Sequence, residues 1–183
     1  MNNAIVIYES LTGNTRRAGE RIARELEGAG VHTVACPITH IDYPALAAAD
    51  VVIVGSWTDG AILFGQRPGR AGRLWMKLPA IDRKRAAVYC TYAVAPGKTL
   101  EKLGDLVAGR GGDVLGGYAI KRSRIEEGAA TFAERLAARG LDLSVVTAAG
   151  GPVLRAVTHL DVGDADIEEA LRLIRETLGE RSA

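Results

Sequence analysis

Ser10-Leu11-Thr12-Gly13-Asn14-Thr15 brings three hydroxyls, a carboxamide and a glycine together within six residues. The stretch follows the apolar run Ala4-Ile5-Val6-Ile7-Tyr8 and leads into Arg16–Leu26, whose apolar residues recur at helical spacing. A strand, a short hydroxyl-rich turn and a helix start make a place to hold a phosphate. The first turn of a helix presents backbone N–H groups without intrahelical acceptors and about half a positive charge. Ser10, Thr12 and Thr15 add hydroxyls, and Gly13 lets the backbone come close to an anion. The turn has no lysine, unlike a Walker loop, in which a lysine reaches the outer phosphates of a nucleoside triphosphate. The plainer reading, a strand-to-helix turn with a threonine cap, needs fewer hydroxyls than are present.

Positioning such a turn takes a sheet, and the rest of the chain has the pattern of one. Val31–Cys36, Val51–Val54, Ala86–Thr91 and Val114–Ile120 are further apolar runs of strand length, the last weakened by Gly116 and Gly117. Between them Asn14–Glu27, Thr99–Ala108 and Ala129–Ala138 have helical spacing, and Pro44–Ala49 is long enough for one short helix. Near-continuous apolar strands alternating with helices predict a parallel sheet covered on both faces. Gly55–Gly69 reads as a long glycine-rich loop after the third strand, and Tyr92-Ala93-Val94-Ala95-Pro96-Gly97 as a loop after the fourth. Ligands in such sheets lie outside the carboxyl ends of the strands. The loops at 10–15, 56–66 and 92–97 are therefore expected to share one rim.

Composition sets the outer limits. A chain of 183 residues, 48% apolar, has the size of one domain with or without an extension. No apolar run approaches the roughly 18 residues of a membrane span. Met1-Asn2-Asn3 runs straight into strand-like sequence, so no signal peptide is expected and a cytoplasmic location is. A net charge of +1 favours no nucleic-acid partner. Cys36 and Cys90 stand apart and read as buried small residues, and His32, His40 and His159 lack ligand spacing, so no metal site is expected.

The first motif and the spacing of the two later loops resemble the flavodoxin-like family over about residues 3–140. The resemblance implies a three-layer, doubly wound α/β sandwich whose five parallel strands run in the order 2-1-3-4-5, and a bound FMN. Carried over, Ser10, Leu11, Thr12, Gly13, Asn14 and Thr15 would hold the FMN phosphate. Ser56, Trp57, Thr58, Asp59 and Gly60 in the second loop, and Thr91, Tyr92, Ala93 and Gly97 in the third, would flank the isoalloxazine ring. At Thr58-Asp59-Gly60 a peptide carbonyl could accept a hydrogen bond from reduced flavin N5, with Gly60 easing the backbone flip. Two features depart from the family. Trp57 lies only two residues past Gly55, whereas the stacking aromatic usually lies further into this loop. The chain also lacks the strong acidity of most flavodoxins, and Asp59 is followed by Arg67 and Arg70. A second reduction step less negative than in acidic flavodoxins is expected.

The resemblance implies an electron carrier. An FMN-dependent NAD(P)H:quinone-type reductase and a non-redox phosphate-binding or regulatory module are the alternatives, and no catalytic acid, base or nucleophile stands out. Arg67, Arg70, Arg73, Lys77, Arg83, Lys84 and Arg85 face one acid, Asp82. This 67–85 segment is either a solvated face or a docking patch for an acidic redox partner. Lys121-Arg122-Ser123-Arg124 carries the same two readings. Residues 141–183 read as an extension beyond a 1–140 domain: a strand over Val153–Leu160, then a helix opened by the capping box Asp166-Ile167-Glu168-Glu169. Arg155–Val162 with Asp166-Ile167 resembles the C-terminal strand and helix of threonine-aldolase-type enzymes. That match covers about 25 residues and includes no cofactor lysine, so no aldolase activity is inferred.

Overall fold

The computed structural model describes residues 1–60 and 65–138, and of the later chain the backbone of two short strands at 146–148 and 151–153. Five parallel strands carry the fold: β1 (Asn3–Tyr8), β2 (His32–Pro37), β3 (Val51–Asp59), β5 (Arg85–Tyr92) and β6 (Asp113–Lys121). They lie in the order β2-β1-β3-β5-β6, which counted without the two-residue strand β4 (Arg67–Pro68) is 2-1-3-4-5. The expected doubly wound α/β sandwich is the observed one.

Alternation along β1 shows why the sequence builds three layers. Ala4, Val6 and Tyr8 face a core shared with α1 (Asn14–Gly28) and α5 (Ile125–Ala138), where Ile22, Leu26, Phe132 and Leu136 are buried. Ile5 and Ile7 face the opposite core, closed by Leu46 of α2 (Tyr43–Ala48), Leu74 of α3 (Ala71–Lys77) and Leu103 of α4 (Thr99–Ala108). Each fully buried aliphatic side chain contributes about 1.5–3 kcal/mol, so the doubly covered strands supply much of the stability. Two further strands, β7 (Val146–Ala148) and β8 (Gly151–Val153), pair antiparallel with each other. The capping box at 166–169 and all but the first residue of the strand expected over 153–160 fall outside the described residues.

The Gly55–Gly69 loop needs correction. β3 does not stop at Gly55 but continues to Asp59, and the chain returns as β4, pairing Thr58 with Pro68 and Asp59 with Arg67. Gly55 is a packing requirement rather than a terminator: a Cβ there would lie 2.0 Å from Cζ of Tyr89 on the neighbouring strand. Gly117 of β6 has a similar explanation, since a Cβ there would lie 2.6 Å from Val88 Cγ2, and Gly116 a different one. The register of β5 and β6 shifts between Ala86 and Ala87, and Gly116 sits there at φ 147.

Candidate functional site

Helix α1 begins without a side-chain cap. Its N-cap is Gly13, at φ 87, and a Cβ added there would meet nothing within 4 Å. Ser10 Oγ accepts a hydrogen bond from Arg16 N at 3.3 Å, and Asn14 Nδ2 donates to Thr12 Oγ1 at 3.2 Å. Among the described residues no side chain accepts from the N–H of Asn14 or Thr15, so those two amides, though not that of Arg16, face outward beside an open glycine. Ser10, Leu11, Thr12, Gly13 and Asn14 are all at least partly exposed at the end of β1.

Thr15 plays a different part. It is buried, and its hydroxyl lies 3.0 Å from that of Thr91, also buried, at the end of β5. Tyr89, one pleat earlier on β5, donates its hydroxyl to the carbonyl of Thr15 at 2.9 Å. Burial drives the Tyr89 phenol well above its ordinary value, which keeps it a donor. Two neutral hydrogen bonds from β5 thus seat the first turn of α1. Gly19 leaves room for this, since a Cβ there would lie 2.5 Å from the Tyr89 hydroxyl.

In the second loop, Ser56 and Trp57 are buried in the β3–β4 ribbon. Ser56 Oγ donates to the Gly69 carbonyl at 3.0 Å, and Gly69 N donates to the Trp57 carbonyl at 2.7 Å. Gly69 lies flat on the Trp57 ring, with a Cβ position only 2.0 Å from Cε2, and the Arg70 guanidinium lies 5.8 Å from the ring centroid. Thr58 is half-buried; Asp59 and Gly60 are exposed, Gly60 at φ 102. In the third loop Tyr92 is half-buried, Ala93 and Gly97 are exposed, and Gly97 takes φ 50. The two loops are joined: Gln66 Nε2 donates to the Ala95 carbonyl at 3.1 Å, and Lys102 Nζ to the Gln66 carbonyl at 3.0 Å. Tyr92 also lines a cleft of ≈ 390 Å³ with Tyr118, Lys121 and Arg124.

The structure adds a cluster that sequence reasoning missed. Glu9, directly after β1, has a side chain only 4% exposed. Its Oε1 lies 3.2 Å from Arg70 Nη1 and its Oε2 3.6 Å from Arg73 Nη1. Arg70 and Arg73 therefore serve the rim itself, whereas Lys84, of the same basic run, donates to the carbonyls of Ala47 and Ala49 at the far end of the sheet. The one available signal was a charged residue set between an apolar strand and the hydroxyl-rich turn. A cleft of ≈ 530 Å³ opens at this cluster, bounded by Ser10–Gly13 and by Pro37, Ile38 and Thr39 at the end of β2.

The family model of the flavodoxin domain matches residues 5–102, from β1 through the second and third loops into α4. The chain belongs to the flavodoxin family. Solved structures agree on the fold. The chain is 19% identical to the two-electron reduced flavodoxin of Megasphaera elsdenii, with a TM-score of 0.51 over 72% of this chain and 98% of that one. It is 23% identical to oxidised flavodoxin 2 of Bacillus cereus, with a TM-score of 0.57 over 74% of this chain and 96% of that one. The rubredoxin oxygen:oxidoreductase of Desulfovibrio gigas is 17% identical, with a TM-score of 0.52 over 74% of this chain and 36% of that one.

Proposed function

We propose that this flavodoxin-family chain binds FMN and acts as a one-electron carrier in the cytoplasm. The observation that supports this most directly is the start of α1, where the amides of Asn14 and Thr15, the left-handed Gly13 and the hydroxyls of Ser10 and Thr12 make a donor set suited to a dianionic phosphate. FMN supplies the redox chemistry when bound, and the chain supplies position and charge. The β3–β4 ribbon and the 92–97 loop would hold the ring. Tyr92 is the aromatic suited to flank it, because the Trp57 ring is already covered by Gly69 and Arg70. Arg70 and Arg73 outnumber Glu9 at the rim, which favours added negative charge on a reduced flavin and a less negative second reduction step than in an acidic flavodoxin. The partner is an acidic redox protein meeting the basic 67–85 segment, in which Arg67 and Lys77 are exposed.

The test is a visible spectrum of the purified protein followed by titration with FMN and riboflavin. The expected result is a flavin spectrum and FMN binding at least tenfold tighter than riboflavin, since each charge-assisted hydrogen bond contributes about 1.5–3 kcal/mol. A protein that binds neither would leave the phosphate-binding or regulatory alternative standing.

A further inference from the structure

The cleft beside the phosphate turn is much larger than a phosphate. Its ≈ 530 Å³ extend from Ser10–Gly13 to the end of β2 on one side and to Arg70 and Arg73, beyond β4, on the other. A ligand anchored by phosphate at the tip of β1 has two directions open to it. Toward β3 and β5 lie the loops assigned to the flavin ring, and toward β2 lies one end of this cleft. In dinucleotide-binding sheets of the other doubly wound order a carboxylate beyond the first turn receives ribose hydroxyls; here the carboxylate on offer is Glu9, directly after β1.

The lining has the chemistry of such a ligand. Arg16, Arg70 and Arg73 all line it, the Arg16 Nε standing 3.7 Å from Glu20 Oε1. Arg70 takes its place at a conformational cost, standing at φ 50 and ψ 41 as the residue before α3. Its guanidinium bridges the Glu9 carboxylate and the Trp57 ring, which fixes it at the cleft wall. Glu9 also lines the cleft, and its buried Oε2 receives no hydrogen bond, the Arg73 nitrogen standing 3.6 Å away. A buried acceptor without a donor is uncommon and calls for one. Guanidinium donors with an unfilled carboxylate acceptor complement a phosphate carried on a sugar with free hydroxyls.

We infer that this cleft is a second ligand subsite, for the phosphate and ribose of a nucleotide. The nucleotide is either free or the nucleotide half of a flavin dinucleotide whose other phosphate occupies the 10–15 turn. The subsite shares that turn with the FMN reading and meets its ring loops only through Arg70, whose guanidinium lies over the Trp57 ring.

Calorimetric titration of the full chain with AMP, FMN and FAD, with and without R73Q, tests it. Arg73 is chosen because Arg70 remains to neutralise Glu9. A free nucleotide predicts AMP binding to FMN-saturated protein; a dinucleotide predicts FAD binding about tenfold or more tighter than FMN. In either case R73Q removes the AMP binding or the FAD advantage by about tenfold, the latter read as the ratio of FAD to FMN affinity so that any effect of Arg73 on FMN itself cancels. R16Q serves as the second variant if R73Q fails to fold. AMP binding that FMN displaces and R73Q leaves unchanged would place AMP in the phosphate turn alone and overturn the proposal. Absence of both AMP binding and any FAD advantage overturns it too. AMP binding that depends on Arg73 in a protein that refuses FMN would uphold the subsite while refuting the flavin reading.

Discussion

Thr15 and Glu9 flank the phosphate turn and both are buried, yet they are fastened in different ways. Thr15 is held from β5 by the Thr91 and Tyr89 hydroxyls, at 3.0 and 2.9 Å. Glu9 is held from outside the sheet by Arg70 and Arg73, whose side chains are each 40% exposed. The first arrangement is neutral and dry, so salt and pH near neutrality leave it untouched. The second is ionic and half-solvated, so its strength depends on ionic strength and its arginines can exchange partners. A rigid side suits a fixed phosphate, and an exchangeable side suits a ligand that comes and goes.

The sharpest way to break this contrast is at Tyr89. Tyr89→Ala removes a fully buried ring and is expected to cost about 3–5 kcal/mol in urea unfolding, by analogy with other aromatic truncations. Tyr89→Phe keeps the ring and deletes only the bond to the Thr15 carbonyl, at about 1 kcal/mol. FMN affinity should follow the Phe variant down while riboflavin affinity does not. Equal loss for both flavins would show that Tyr89 supports the whole fold and not the seat of the phosphate turn.

Next comes Glu9. Glu9→Gln leaves Arg70 and Arg73 without their counter-charge, but both reach solvent, so the expected loss is about 1–2 kcal/mol rather than that of a fully buried pair. The difference between Glu9→Gln and wild type should shrink between 0.05 and 1 M salt, while that between Tyr89→Phe and wild type stays constant. Identical salt behaviour of the two variants would erase the distinction.

These two sides were unequally legible in the sequence. Runs such as Ala4–Tyr8 and Val51–Val54 announce parallel strands because burial on both faces leaves them almost wholly apolar, and the hydroxyl-rich turn is local enough to read directly. What was hidden depends on partners far along the chain. Gly55 looked like a strand end because its reason is the Tyr89 ring on another strand. Arg70 and Arg73 looked like a solvated face or docking patch because Arg70's anchor, Glu9, lies 61 residues earlier. The Thr15 hydroxyl was read as facing a ligand, whereas Thr91 engages it from a strand 76 residues away.

Alkali should weaken the neutral side in a way that acid does not. Cys90, between Tyr89 and Thr91, has its thiol pushed up by burial to about 12, the nearby Thr58 hydroxyl offsetting part of the rise. A group whose folded value lies above its unfolded value contributes in full below the latter. Stability is therefore expected to be flat with respect to this group up to about pH 9, then to fall by at most about 1.4 kcal/mol per pH unit toward 12. Cys90→Ser or Cys90→Ala should flatten that alkaline slope in denaturation curves taken from pH 8 to 11. A slope unchanged by both would move the cause to the Tyr89 phenol, which burial shifts in the same direction.

The smallest effect belongs to an ion pair that resembles the Glu9 cluster only on paper. Arg67 Nε stands 4.0 Å from Asp59 Oδ2, and both side chains are more than half exposed. At that distance and exposure the pair contributes little, since exposed pairs measure about 0.2–1 kcal/mol even with better geometry. The backbone pairing of Asp59 with Arg67, and of Thr58 with Pro68, holds the ribbon without it. Arg67→Ala is therefore expected to change stability by less than about 0.5 kcal/mol and to leave flavin affinity within twofold. Its rate of electron exchange with an acidic partner should fall, most at low salt, because an exposed charge acts mainly on encounter. A loss of stability comparable to that of Glu9→Gln would mean that the ribbon, like the cleft beside the phosphate turn, depends on charge for its shape.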